Sequence, residues 1–83
     1  MAAARERSDR RRALGLLADA PGGVTEALML AHGFRVELLI DVCIAGLAMA
    51  KPEQTHAGRR TMEVVRMKIT EAGRQALTRK RTQ

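Results

Sequence analysis

The sequence predicts an α+β domain: a three-helix bundle carrying a β-hairpin and closed by a C-terminal helix. Three observations predict it. Apolar residues recur at helical spacing from Ala13 to about Ala45, then switch to the twofold alternation of a strand between Thr61 and Ile69. Pro21-Gly22-Gly23, Gly33 and Gly46 punctuate the helical half where three helices need breaks. Phe34 is the only aromatic among 83 residues, so the core must be built from Leu, Val, Ile, Ala and Met. That composition suits helices packed on a small hairpin better than an aromatic-rich barrel.

Residues 1–7, rich in Ala, Arg and Glu, read as a disordered leader ahead of a domain spanning 8–78, with 79–83 as a basic tail. Ser8 or Asp9 is placed to cap a first helix running to about Asp19, with Leu14 and Leu17 on its inner face and Ala13 and Ala20 beside them. After the Pro-Gly-Gly break, Val24-Thr25-Glu26 opens a second helix. Thr25 can accept from free first-turn amides, Glu26 complements the positive helix end, and Val24 packs back as a staple. Leu28, Met29 and Ala31 are expected to face inward. Gly33 follows closely, so this helix is short and a tight turn comes next.

The third helix runs from about Phe34 or Arg35 to Ala45 and ends at Gly46 as a left-handed cap. Its only polar side chains are Arg35, Glu37 and Asp41, and the two acids share one narrow stripe. A helix this apolar is either central to the core or covered by a partner. In the strand Thr61–Ile69, Val65, Met67 and Ile69 fall on one face and Arg66 and Lys68 on the other. Ala48–Thr55 pairs with it around a turn near His56-Ala57-Gly58-Arg59. Pro52 has no amide for a ladder, which suits an edge strand. Thr70 then caps a last helix through Ala76 and Leu77.

A chain of this length holds one domain with one modest core, burying about 60% of its unfolded surface. An apolar fraction of 46% argues against disorder. The single cysteine, Cys43, excludes an internal disulfide and a cysteine-based zinc site, and its apolar surroundings predict a buried, inert thiol. No apolar run approaches the roughly 18 residues of a membrane span, so a soluble, cytoplasmic protein is expected. The net charge of +6 is terminal in origin. Residues 1–12 carry a net +3 and residues 74–83 a net +4, while 13–73 hold six basic and seven acidic residues. Basic ends of this kind hold phosphates through counterion release, or simply solubilise the chain.

Two strings then carry a resemblance. Gly46-Leu47-Ala48 resembles the Gly-Leu that ends the recognition helix of bacterial winged-helix regulators and leads into the wing. Ile69-Thr70-Glu71-Ala72-Gly73-Arg74-Gln75-Ala76-Leu77 is similar to the string that closes the wing in the MarR and PadR types. The 22 residues between Leu47 and Thr70 fit one hairpin. The resemblance covers roughly residues 9–78 and is to the bare winged helix-turn-helix unit, without the terminal dimerising helices of MarR-type proteins. It implies that Arg35, Val36, Glu37, Ile40 and Asp41 lie on or near a face that enters the DNA major groove. It places Gln54, His56, Arg59 and Arg60 at the wing tip, against a minor groove or phosphates.

The expected function is therefore a small DNA-binding transcriptional regulator or accessory factor, gripping duplex DNA through wing and basic arms and acting as a homodimer. Arg10, Arg11 and Arg12 can reach phosphates from the first helix, although three consecutive arginines cannot share one helical face. Glu37 and Asp41 run against this reading, since a recognition helix ordinarily offers Arg, Lys, Asn, Gln, Ser or Thr to bases and phosphates. The alternative is a protein–protein interaction module without DNA binding. Val36, Ile40, Cys43 and Ile44 exceed what a three-helix core needs, and Met62 and Val64 fall on the outward face of their strand. No enzyme is expected: no acid pair, activated nucleophile, phosphate loop or metal cluster is present, and His32 and His56 read as polar surface residues. No cofactor or metal is called for, and with a lone Phe there is no stacking platform for single strands.

Overall fold

The computed structural model describes residues 2–78, with side chains from Arg7 onward. It is an α+β fold of four helices and a three-stranded antiparallel sheet. The order is α1 (Ala2–Ala18), β1 (Val24–Thr25), α2 (Glu26–Ala31), α3 (Val36–Ile44), β2 (Ala48–Ala57), β3 (Arg60–Ile69) and α4 (Glu71–Thr78). The tail expected at 79–83 lies outside the described residues.

Helix α1 reaches back to Ala2, so residues 2–7 are helical where a disordered leader was expected. The reason is propensity: Ala, Arg and Glu are strong helix formers, and nothing before Pro21 breaks the chain. Ser8 and Asp9 thus sit inside the helix, and Asp9 Oδ1 holds Arg12 Nη1 at 2.6 Å. Ala13, Leu14 and Leu17 are buried, as their spacing predicts. The Arg12 guanidinium also lies over the Phe34 ring, 5.0 Å from its centroid.

Val24 and Thr25 form a strand that the sequence does not announce. They pair antiparallel with Met67 and Arg66, giving the sheet order β1-β3-β2. Two residues are too few to display alternation. Thr25 still caps α2 as expected, its hydroxyl accepting the Leu28 N–H at 3.2 Å. Met29 is fully buried, but Leu28 and Ala31, expected inward, are exposed together with Leu30. A helix of six residues makes under two turns, and here Met29 alone is fully buried.

Helix α3 ends in a Schellman motif, with the Leu47 N–H donating to Val42 O and the Gly46 N–H to Cys43 O, Gly46 standing at φ 80°. Leu39 and Val42 are buried, and Leu38 and Cys43 are half-buried. Cys43 is thus less enclosed than its neighbours in sequence suggest, though desolvation still pushes its thiol above the ordinary range. Among the described residues, Val36, Ile40 and Ile44 on the outer side of α3 stay exposed, while α3 packs against α1 and β2.

The hairpin is longer and tighter than expected. All ten residues of β2 pair with all ten of β3, from Ala48↔Ile69 to Ala57↔Arg60, around a two-residue turn at Gly58-Arg59. Pro52 sits on β2, the edge strand, opposite Val65. Thr70 then fastens the hairpin base to α3. Its hydroxyl accepts the Gly73 N–H at 3.1 Å and donates to Gly46 O at 2.6 Å, while its own N–H donates to Leu47 O. The core under these elements is Ala13, Leu17, Val24, Met29, Phe34, Leu39, Val42, Ala48 and Met67.

Candidate interaction surfaces

The open side of α3 divides into two stripes. Val36, Ile40 and Ile44, spaced four apart, are 42%, 51% and 79% exposed. At 100° per residue they fall on one side of the helix's outward pole, and Glu37 and Asp41 fall on the other. The apolar stripe forms one wall of a 220 Å³ groove whose opposite wall is the hairpin, through Ala50 and Val65, with Met67 and Cys43 also lining it. Glu26 is its one charged lining residue.

The acidic stripe faces α1 instead. Arg7, Arg10 and Arg35 line a 300 Å³ cleft between α1 and α3 together with Asp9, Glu37 and Asp41. Arg35, at the N-cap of α3, brings its Nε to 3.7 Å from Glu37 Oε1. The cleft therefore balances its own charge. Of the arginine triplet, Arg10 lines this cleft, Arg11 donates to the Leu77 carbonyl at 3.5 Å, and Arg12 is held by Asp9 and Phe34. The three point three ways and make no common phosphate surface.

The hairpin also has two unlike faces, set by strand alternation. One continues the core outward, carrying Pro52, Gln54 and His56 from β2 beside Thr61, Glu63 and Val65 from β3. It has no Lys or Arg, and His56 Nδ1 sits 3.4 Å from the Thr61 hydroxyl. The other face gathers Lys51, Arg60, Arg66 and Lys68, with Glu53 as its acid and the exposed Met49 and Met62 among them. Lys51 stands directly opposite Arg66, and Arg66 Nε donates to Glu53 Oε1 at 2.8 Å. The Arg66 and Lys68 stems lie across Gly23, where a Cβ would come within 2.6 Å of Arg66 Cγ and 3.0 Å of Lys68 Cγ. Gly23 thereby lets these two basic side chains lie flat at the base of the sheet.

The residues expected at one DNA interface thus fall into separate places. Arg35, Glu37, Asp41 and Arg10 share the α1–α3 cleft; Val36 and Ile40 belong to the apolar stripe. Gln54 and His56 face the α3 side of the hairpin, Arg59 is in the turn, and Arg60 lies on the opposite face. Lys51, Arg66 and Lys68 are expected along the polar faces of the hairpin, though not among the residues expected at the groove or the wing tip. Alternation along β3 puts Arg60, Arg66 and Lys68 on one face, but only the cross-strand register adds Lys51. Among the described residues no three His, Cys, Asp or Glu side chains cluster closely enough to hold a metal ion, and no helix is long and apolar enough to cross a membrane. Compared with family models, curated proteins and solved structures, the chain matches none.

Proposed function

We propose that this chain is a winged-helix module that binds the phosphate backbone of duplex DNA through the open face of its hairpin, as a small regulator or accessory factor. The observation that carries the reading is the gathering of Lys51, Arg60, Arg66 and Lys68 on one exposed face with a single acid, Glu53. Arg66 and Lys68 stand about 6.7 Å apart along β3, and Lys51 faces Arg66 across the ladder, so three charges form a compact anchor. Such an anchor releases counterions from a polyanion without reading bases. The resemblance assigns base contacts to α3, but that helix shows aliphatic groups with no donors and two carboxylates that share their cleft with Arg7, Arg10 and Arg35. Base reading is therefore not part of the proposal. The duplex is favoured over single strands because the one aromatic, Phe34, is buried in the core.

Fluorescence anisotropy with a mixed-sequence duplex over a range of salt concentrations tests this. Affinity falls steeply with salt, and Lys51→Ala combined with Lys68→Ala reduces the log–log salt slope by about two units. Glu37→Gln with Asp41→Asn leaves that slope unchanged. A double lysine variant with the wild-type slope removes the hairpin face from the proposal. A second reading, a protein-interaction module that binds no nucleic acid, is favoured by the exposed Val36, Ile40 and Ile44. Absence of duplex binding even at about 50 mM salt decides for it.

A further inference from the structure

We infer that the basic face carries a socket for one phosphate monoester near the base of the hairpin, so that the hairpin prefers a duplex end bearing a terminal phosphate to uninterrupted backbone. The socket is an 80 Å³ hollow lined by Met49, Lys51, Glu53, Arg66 and Lys68. A water molecule's share of liquid is about 30 Å³, so the hollow has room for one tetrahedral oxyanion and none for a base or sugar ring.

Arg66 turns this hollow from a patch of charge into a shaped site. Its stem lies against Gly23, where a Cβ would come within 2.6 Å of Cγ and 2.8 Å of Cδ. Glu53 Oε1 accepts from its Nε at 2.8 Å, and the side chain is only 29% exposed. Among the described residues its two Nη groups make no hydrogen bond. A guanidinium held at its stem and its Nε offers those two groups in one geometry, so an oxyanion that takes them orders little further. Lys51 stands directly opposite Arg66 across the ladder and Lys68 two residues along β3, and both line the same hollow. Three cations and one carboxylate leave a net charge of +2 there. A phosphate monoester carries about −1.5 to −2 at pH 7 and three terminal oxygens, whereas a backbone diester carries about −1 and two. The monoester is the better match in both charge and number of acceptors. The inference rests on the duplex reading only for the source of the phosphate.

The test has two arms, both on the full chain. In the first, labelled protein is titrated by NMR with inorganic phosphate or with dimethyl phosphate, a diester, at matched ionic strength. Phosphate is expected to give saturable shifts at residues 23, 49–53 and 66–68, and dimethyl phosphate to bind at least about tenfold more weakly. Arg66→Lys keeps the stem and the charge but loses the fork, and is expected to weaken phosphate binding about fivefold or more. Arg74→Gln removes a charge outside the hollow and leaves phosphate binding as in the wild type. In the second arm, identical duplexes with phosphate at every terminus or at none compete at about 150 mM salt. The phosphorylated duplex is expected to bind about tenfold tighter, and Arg66→Lys to remove that preference. Equal responses to the two small anions, or an Arg74→Gln loss as large as that of Arg66→Lys, overturn the socket. Duplex binding indifferent to terminal phosphate overturns the end preference and leaves the duplex reading standing. Phosphate-selective shifts in a chain that binds no duplex keep the socket and reject the duplex as its source of phosphate.

Discussion

Gly73 shows at the scale of one residue how a contact across the fold dictates a residue type. It lies in the first turn of α4, buried against the Leu47 carbonyl, and a Cβ there would overlap that oxygen and approach Ile69 Cγ1 to 2.7 Å. Two effects compete in Gly73→Ala. Alanine gains about 1 kcal/mol in helix propensity, but the overlap is with backbone that Thr70 and the α3 cap hold in place. The clash wins, and the variant is expected to lose about 1–3 kcal/mol. Urea denaturation measures this, and a midpoint at or above that of the wild type would show that the hairpin base yields. The Thr70 cap was legible in the sequence, since Thr before an apolar-periodic helix is a local signal. The need for glycine three residues later was not, because its cause is a contact with Leu47 across the fold.

At the scale of elements, local pattern carried as far as local physics does. The ends of α2, α3 and α4 follow from Thr25, Gly46 and Thr70, whose side chains or backbone angles act within one turn. β1 escaped because two residues have no periodicity, and the start of α1 escaped because a cap signal at Ser8 and Asp9 is weaker than an unbroken run of helix formers. The solvent face of α3 escaped for another reason. An apolar circumference says that a helix is covered, not whether its own chain covers it. The basic face of β3 was half legible: alternation separated Arg66 and Lys68 from Met67, but Lys51 and Glu53 join them only through the register of β2. Glu53 partly neutralises that face by holding Arg66 at 2.8 Å. Glu53→Gln is therefore expected to raise duplex affinity several-fold and steepen its salt dependence by up to about one unit. Anisotropy titration measures both, and an affinity lowered by the substitution would mean that Arg66 acts through its pairing with Glu53.

At the scale of the whole molecule, the chain separates its chemistry by side. The α3 side of the sheet carries no Lys or Arg and lines the apolar groove at its base, the far side carries the basic residues with Met49 and Met62 among them, and the central strand β3 contributes to both through alternate residues. The sequence-wide charge of +6 concealed this, because its excess lies in the terminal segments while the middle of the chain is nearly neutral. What distinguishes the proposed mode from the one that the winged-helix resemblance implies is which side meets the duplex. An amide-resolved NMR titration of labelled protein with a mixed-sequence duplex at about 150 mM salt separates the two. Shifts concentrated at residues 49–53 and 60–68 are expected, with residues 36–44 unmoved. Shifts concentrated at residues 35–41 and 54–59 instead would put α3 against the duplex and contradict the assignment of the open hairpin face.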